Sequence, residues 1–305
     1  MSIYTNTKNM LTKKEAIRFL EDSWQMKDVA EDIQNNREKF LNKLIVTIHE
    51  RVPFHLLFVR NLAFIPPETR KLPTLDEGDH ICVSGDGGNC TVINLFTSRL
   101  LTALGFSNLV CPACLTNSSL NFHAIVIVKD LINAGDHHLV DCGLGLPSFE
   151  AIPLNFNKES PIYQNSYLEY KFIKHDGKIL RMHGKGDLMA RNDPPKEVDF
   201  IQGKWRRFFE FKMEDMTDCQ TFTDSLPQVL SRFLHKVDPR VSRFPGGKTI
   251  MVFGDILYVE KEDKTLKKIV LKSKAEIFQA FEDYFPSINK ELIKQAYSTW
   301  HKSKL

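Results

Sequence analysis

The chain has 305 residues, of which 42% are hydrophobic and 26% are charged, with a formal net charge of +3. This is the composition of a globular, enzyme-sized chain, and its balanced charge excludes an electrostatic reason to expect a nucleic-acid partner. It holds no run of about 18 apolar residues, so no transmembrane helix and no membrane partner are expected. Its six cysteines are too sparse for a disulfide framework and are predicted to be reduced thiols.

The first third of the chain is predicted to be helical. Thr12 and Glu15 stand at the spacing of a capping box, which predicts a helix over 12–25. A second apolar stripe with helical periodicity lies within 37–54. The stretch 66–88 is rich in Pro, Gly and Asp and is predicted to be a loop.

The glycine-rich sequence GDGGNC leads into the next predicted helix, 90–104. Asn89 is a favourable N-cap residue, which sets Cys90 at the first helical position. Exposed backbone N–H groups and the helix dipole at that position favour the nucleophilic thiolate form of a cysteine. Gly87 and Gly88 are expected to permit a tight entry turn and to leave the approach of a substrate open.

The sequence pattern changes after the predicted helix 90–104. Short β-rich runs separated by Asn, Gly and Asp continue to about residue 212. A helix at 227–237, a hairpin within 249–271 and two closing helices are predicted after them. Helices followed by strands and then a mixed end predict an α+β fold with an N-terminal helical region and a central antiparallel sheet or barrel.

A thiol nucleophile needs a base, and the apolar strand at 122–128 carries a candidate, His123. A lone histidine on such a strand is more often an ordinary core residue. Here, however, a turn about residues 132–133 would fold the next strand back, placing His123 opposite Cys142 and beside Asp141. A one-residue change of register decides whether His123 and Asp141 share a face. Because a buried carboxylate needs a partner, the pattern favours a Cys–His–Asp triad.

Three stretches, GGNCTVIN, FHAIVIV and LVDCGLG, together resemble the arylamine N-acetyltransferases. The upstream IHERVPFHLL and the later TFTDSLP resemble further elements of that family, and the likeness spans roughly residues 12–285. The resemblance implies an α+β fold around a papain-like cysteine catalytic core. Its implied domains are a helical domain carrying the nucleophile, a β-barrel carrying His and Asp, and an α/β lid, at 1–107, 108–212 and 213–305.

The same resemblance implies a reaction. Acetyl-CoA, the expected co-substrate, would acetylate Cys90, and the acetyl group would pass to an arylamine or hydrazine with ping-pong kinetics. His123 would accept the thiol proton, and Asp141 would orient the imidazole. The resemblance further implies ligand contacts at Ser119 and Phe122 and a position near the CoA cleft at Phe222.

Some residues depart from the family pattern. The resemblance implies Arg before the Gly-Gly pair and Glu after Pro-Phe, where this chain has Asp86 and His55, so we expect an Asp–His pair of reversed polarity. Leu144 stands where the family has an aromatic residue beside the amine pocket. Two alternatives stay open: another acyl chemistry with the same triad (hydrolase, transglutaminase-like or amide synthase), or a catalytically silent binding homologue.

Two other motifs have simpler interpretations. Cys111 and Cys114 form a CxxC pair within a strand-like run, and no second ligand pair at matching spacing accompanies it, so no metal is expected. The chain ends in Ser303, Lys304 and Leu305, the tripeptide read by the peroxisomal import receptor. This ending predicts a peroxisomal location, with the cytoplasm as the alternative.

Overall fold

The computed structural model describes residues 12–115, 121–188, 200–233 and 238–302. The expected ligand residue Ser119 and the terminal tripeptide Ser303–Leu305 lie outside these ranges, so both stay predictions. None of the described helices is long and apolar enough to cross a membrane.

Six of the described helices lie in the first third of the chain, one lies among the strands, and two follow the last described strand. They are α1 (Lys13–Asp22), α2 (Val29–Asn35), α3 (Arg37–Arg51), α4 (Leu57–Leu62), α5 (Leu75–Ser84), α6 (Cys90–Ala103), α7 (Cys219–Phe233), α8 (Lys274–Tyr284) and α9 (Lys290–Lys302). This order confirms a mixed α+β fold with a helical N-terminal region.

The described strands form two antiparallel sheets. They are β1 (Phe54–His55), β2 (Ser107–Leu115), β3 (Asn121–Lys129), β4 (His137–Val140), β5 (Ile152–Pro153), β6 (Tyr163–Asn165), β7 (Leu168–His175), β8 (Lys178–His183), β9 (Ile201–Gln202), β10 (Trp205–Phe211), β11 (Arg240–Arg243), β12 (Ile250–Phe253), β13 (Ile256–Glu260) and β14 (Leu266–Val270). The larger sheet runs β5-β4-β3-β2-β10-β8-β7-β6 with β9 beside β10, and the smaller runs β1-β11-β12-β13-β14. The larger path is open, so the predicted antiparallel sheet curls into a half-barrel and not a closed barrel.

Side-chain caps start four of the six helices in the helical region. The Thr12 side chain accepts from the backbone N–H of Glu15, which completes the predicted capping box of α1. The prediction of a loop over 66–88 is wrong, because α5 occupies much of it. A second capping box, between Thr74 and Glu77, starts that helix.

Helix α6 lies at the centre of the molecule, between α5 and the strands β2 and β3. Its predicted apolar face is buried, with Ile93, Phe96 and Leu100 each at most 2% exposed. That face packs with Val126 and Val128 of β3 in one core. Packing against the sheet holds the first turn of α6 beside the N-terminal end of β3, where His123 lies.

The C-terminal region combines the smaller sheet with α8 and α9. The predicted hairpin within 249–271 is a three-stranded meander, β12 to β14, and the two closing helices are confirmed. Helix α7 begins at Cys219, earlier than the sequence predicted, because the Asp218 carboxylate accepts from the backbone N–H of Thr221 and starts the helix there. Strand β1 pairs with β11, so a segment of the helical region completes this sheet.

Candidate active site

Cys90 occupies the first position of α6, as the sequence predicted. The Asn89 side chain accepts from the backbone N–H of Val92 at 3.2 Å and caps the helix. The Cys90 side chain is 8% exposed and lines a cleft that encloses about 610 Å³ of empty space, part of it open to solvent. The thiol is therefore at a helix N-terminus and reachable from the cleft.

The two glycines before the helix form the tight entry turn that was expected. Gly87 has a positive φ of 76°, and a Cβ there would lie 1.9 Å from the Pro53 carbonyl oxygen. A Cβ on Gly88 would lie 2.8 Å from the Val92 Cβ. Both residues are buried. They allow the loop to pack tightly against its neighbours and do not clear the approach of a substrate.

His123 and Asp141 meet in the core. The His123 Nε2 atom lies 2.8 Å from the Asp141 Oδ2 atom, with both side chains almost fully buried. In the β3–β4 pair Val126 faces Val140, one residue away from the predicted register. Continued by one pair, this register sets Asp141 opposite Ile125, which shares a strand face with His123. The observed register is therefore the one that allows the contact.

Electrostatics favour the charged forms of this pair. Burial by itself disfavours an imidazolium, but the charge and hydrogen bonds of Asp141 and Cys90 outweigh it and raise the pKa of His123 to about 10. Burial opposes ionisation of Asp141, yet the charge of His123 and hydrogen bonds from His123 and Asn94 hold the pKa of that carboxyl below its usual range. Near neutral pH the pair is therefore an imidazolium and a carboxylate.

Asn94, one helical turn after Cys90, completes the site and was missed by the sequence analysis. Its Nδ2 donates to the Asp141 Oδ1 at 2.8 Å and to the carbonyl oxygen of Ala124 at 2.6 Å. Its Oδ1 accepts from the backbone N–H groups of residues 142 and 143, each at 2.9 Å. An amide side chain four residues after the thiol, and therefore on the same side of α6, was the available signal.

Close backbone approach holds these parts together. A Cβ on Gly143 would lie 2.8 Å from the Cys90 Cα and 2.9 Å from the Asn94 Nδ2. The loop after β4 therefore passes directly against the first turn of α6. Only glycine fits this contact without displacing the helix.

The remaining predicted ligand residues take different positions. Phe122 lines the cleft, and its carbonyl oxygen lies 3.9 Å from the Cys90 Sγ. Leu144 lines the cleft as well. Phe222 is 1% exposed and packs in a cluster with Leu226, which lines the cleft. The assignment of Phe222 to a CoA site stays a prediction.

A family model described as N-acetyltransferase matches residues 39–291, most of the chain. The chain belongs to the arylamine N-acetyltransferase family. It is therefore a transferase enzyme. The comparison with curated proteins finds no match.

Solved structures of arylamine N-acetyltransferases share the fold at low sequence identity. The enzyme from Mycobacterium abscessus is 13% identical, with 96% of this chain and 98% of that chain covered and a TM-score of 0.69. The enzyme from Salmonella typhimurium is 14% identical, with 93% and 98% covered and a TM-score of 0.67. The Mycobacterium marinum enzyme in complex with CoA is 14% identical, with 91% and 97% covered and a TM-score of 0.66.

The expected pair between Asp86 and His55, where this arylamine N-acetyltransferase departs from the family pattern, does not form an ion pair. The His55 Nε2 donates to the backbone carbonyl oxygen of Asp86 at 3.2 Å. The Asp86 carboxylate instead accepts from the Ser84 hydroxyl, also at 3.2 Å. Burial lowers the pKa of His55 to about 4, so its ring is neutral near neutral pH.

Proposed function

We propose that this protein transfers an acetyl group from acetyl-CoA to an arylamine or hydrazine through an acetyl-Cys90 intermediate. The contact between the His123 Nε2 and the Asp141 Oδ2 at 2.8 Å carries the proposal. It uses one ring nitrogen of His123 and leaves the other for the thiol of Cys90. Cys90 as the nucleophile and His123 as the base would then both line one cleft, with Asp141 as the group that orients the base.

The first half-reaction forms a thioester on the enzyme. His123 holds, as an imidazolium, the proton taken from the Cys90 thiol, and the sulfur attacks the thioester carbonyl of acetyl-CoA. The bond between that carbonyl carbon and the CoA sulfur breaks, and His123 returns a proton to the departing CoA thiolate. CoA then leaves as the free thiol, and Cys90 carries the acetyl group.

The second half-reaction regenerates the thiol. The amine nitrogen attacks the acetyl-Cys90 carbonyl, and the bond between carbonyl carbon and sulfur breaks. His123 takes the proton that the nitrogen loses, while the charge of Asp141 stabilises the imidazolium formed. The amide is released, and the proton on His123 restores the starting state with Cys90.

Further observations support the substrates and the arrangement. One solved structure with this fold, that of the Mycobacterium marinum enzyme, is a complex with CoA, which supports an acyl-CoA donor. The cleft walls are mainly apolar and aromatic, as an aromatic acceptor requires. We also propose the domains 1–107, 108–212 and 213–305 around a papain-like core; the pairing of β1 with β11 then ties the first domain to the third.

Intact-mass and peptide mass spectrometry after mixing the protein with acetyl-CoA, without an amine, tests the proposal. We expect one acetyl group on Cys90, absent from the Cys90→Ala variant, and its transfer when 4-methylaniline is added. The matched control is Cys82→Ala, because Cys82 is a fully buried thiol in α5 whose pKa burial raises well above its usual range.

The outcomes separate the alternatives. Acetyl-Cys90 that decays to acetate in water as fast as it transfers would indicate a hydrolase. Absence of any acylation with acetyl-CoA or longer acyl-CoA thioesters would overturn acyl transfer from CoA and favour a silent binding homologue.

A further inference from the structure

Arg240, the first residue of β11, is a buried cation at the wall of the catalytic cleft. Its side chain is 8% exposed, and it lines the same cleft as Cys90 and His123. The reaction proposed above assigns it no role. No sequence motif marks Arg240, because a single arginine in a strand has no distinctive pattern.

The hydrogen bonds of Arg240 are incomplete. One Nη atom donates to the Gly145 carbonyl oxygen at 2.9 Å, and the guanidinium lies 5.5 Å from the centre of the Phe54 ring. The Nε–H is buried and finds no hydrogen-bond partner among the described residues. Among the described residues no carboxylate lies within ion-pair distance of Arg240. Asp187 acts on it only at longer range.

A second buried arginine shows what a purely structural role looks like. Arg181 is 0% exposed, and three of its nitrogen atoms donate hydrogen bonds within the protein, to His183, Ser148 and the carbonyl oxygen of residue 147. Its guanidinium also stacks 3.9 Å from the centre of the Tyr170 ring. Arg181 is therefore satisfied internally, whereas Arg240 keeps donors free beside the cleft.

We propose that Arg240 binds a carboxylate carried by a substrate that reacts at Cys90, an inference that rests on the function proposed above. A guanidinium is the side chain best suited to pair with a planar carboxylate. Among the described residues that line the cleft, none is an aspartate or glutamate, so nothing there repels an anion. Apolar walls with one cation select a molecule that is apolar along its length and anionic at one end.

Two substrates could supply this carboxylate. An acceptor such as an aminobenzoate would bring it on the amine side of the reaction. An acyl donor derived from a dicarboxylic acid would bring it on the acyl chain. The chemistry recognised by Arg240 is the same in both cases, and separate assays distinguish the two.

The acceptor assay compares 4-aminobenzoate with 4-methylaniline, with acetyl-CoA as the donor. The donor assay compares succinyl-CoA with butyryl-CoA, with 4-methylaniline as the acceptor. Each is run with wild type, Arg240→Gln, Arg240→Lys and the control Arg37→Gln. Arg37 matches Arg240 in its contacts, because it donates to a glycine carbonyl oxygen and lies 4.1 Å from the centre of the Phe106 ring, but it does not line the cleft.

The measured quantity is the ratio of kcat/KM for the anionic substrate to kcat/KM for its neutral partner. We expect Arg240→Gln to lower this ratio roughly 10- to 100-fold in one of the two assays, the size of a lost charge-assisted hydrogen bond. Arg240→Lys should retain part of the ratio, and Arg37→Gln should retain all of it. Differences in the intrinsic reactivity of the substrates cancel when variants are compared, because every variant is assayed with the same compounds.

Equal losses for anionic and neutral substrates, or ratios within about twofold of wild type in both assays, would overturn the proposal and leave acyl transfer intact. If Arg240→Gln does not fold, Arg240→Lys carries the test. If wild type shows no acyl transfer, the shifts in unfolding temperature caused by 4-aminobenzoate and by succinyl-CoA still decide it. A shift by either compound in wild type that Arg240→Gln lacks supports the proposal, and the absence of such a shift with both compounds overturns it.

Discussion

His123 and His55 are two histidines with the same burial and opposite protonation. Each is 2% exposed, and burial alone lowers the pKa of both. His123 faces a carboxylate and has its pKa raised to about 10. His55 faces only backbone carbonyl groups, and its pKa is lowered to about 4. The partner, and not the degree of burial, therefore decides which imidazole can hold a proton for chemistry.

Other buried histidines follow the second pattern. Burial lowers the pKa of His49 to about 4, even though its Nε2 lies 3.0 Å from the Ser148 carbonyl oxygen. His183 has the same pKa of about 4, because burial outweighs the more distant Asp187, whose carboxylate lies 3.6 Å away. A close, well-oriented carboxylate is thus the feature that distinguishes His123 from these three rings.

The largest difference between the two histidines is expected in the rate of Cys90 acetylation when each is replaced. His123→Gln removes the proton acceptor and should lower the rate of Cys90 acetylation about 10²- to 10⁴-fold. His55→Gln should lower that rate less than about 10-fold, because the ring is neutral and outside the cleft. Quench-flow mass spectrometry of Cys90 measures both rates. Losses of equal size would contradict the assignment of His123 as the base.

Removing the carboxylate should make His123 resemble His55. Asp141→Asn keeps the shape of the side chain but removes its charge, so we expect kcat to fall about 10²-fold or more. The pKa of His123, measured by NMR titration of its ring, should fall, because the charge of Asp141 no longer offsets the effect of burial. An unchanged titration would show that Asp141 does not set the protonation of His123.

The next variant removes a hydrogen bond to the Asp141 carboxylate and keeps the carboxylate itself. Asn94→Ala leaves two backbone N–H groups without a buried partner and removes the hydrogen bond to the Asp141 Oδ1, so we expect the free energy of unfolding to fall by about 2 to 4 kcal/mol. The rate of Cys90 acetylation should fall about tenfold. Thr97→Val is the control, since its hydroxyl donates to the Ile93 carbonyl oxygen at 2.8 Å and bonds neither His123 nor Asp141, and it should cost about 1 kcal/mol. Equal effects of both variants would exclude a special role for Asn94.

The last expected effect is on the pH dependence of stability, and it has opposite signs for the two rings. The raised pKa of His123 contributes stability that is full below about pH 6.5 and is lost as pH rises towards 10. The lowered pKa of His55 costs stability as pH falls from about 6.5 to 4, because only the unfolded state binds the proton. Denaturant unfolding of wild type, His123→Gln and His55→Gln from pH 4 to 10 measures both.

In that series, wild type should lose its advantage over His123→Gln as the solution becomes alkaline. It should fall behind His55→Gln as the solution becomes acidic. Parallel curves for the three proteins would contradict both pKa directions.

The position of the nucleophile could be predicted from local sequence. Asn89 caps α6 through an interaction three residues long, so the start of the helix at Cys90 needs no distant contact. Helix α5, which was not predicted, also begins at a local signal, since Thr74 and Glu77 form the same capping box as Thr12 and Glu15. Its overlooked capping box lay inside a stretch whose Pro, Gly and Asp content favoured a loop.

The position of the base could be predicted only in part. The sequence indicated that β3 and β4 bring His123 near Asp141, but left open which side of the sheet each side chain would take. A slip of one residue moves every side chain to the other face, and turn residues alone did not fix the register. Packing of Val126 and Val128 against α6 selects it.

The sequence by itself determined the fold class, the family resemblance and the order Cys90, His123, Asp141, because these depend on local periodicity and short motifs. The tertiary structure decided the protonation of His123, the bridging by Asn94 and the free donors of Arg240. Each of these depends on which groups meet across the core, at separations in the chain that no local pattern specifies.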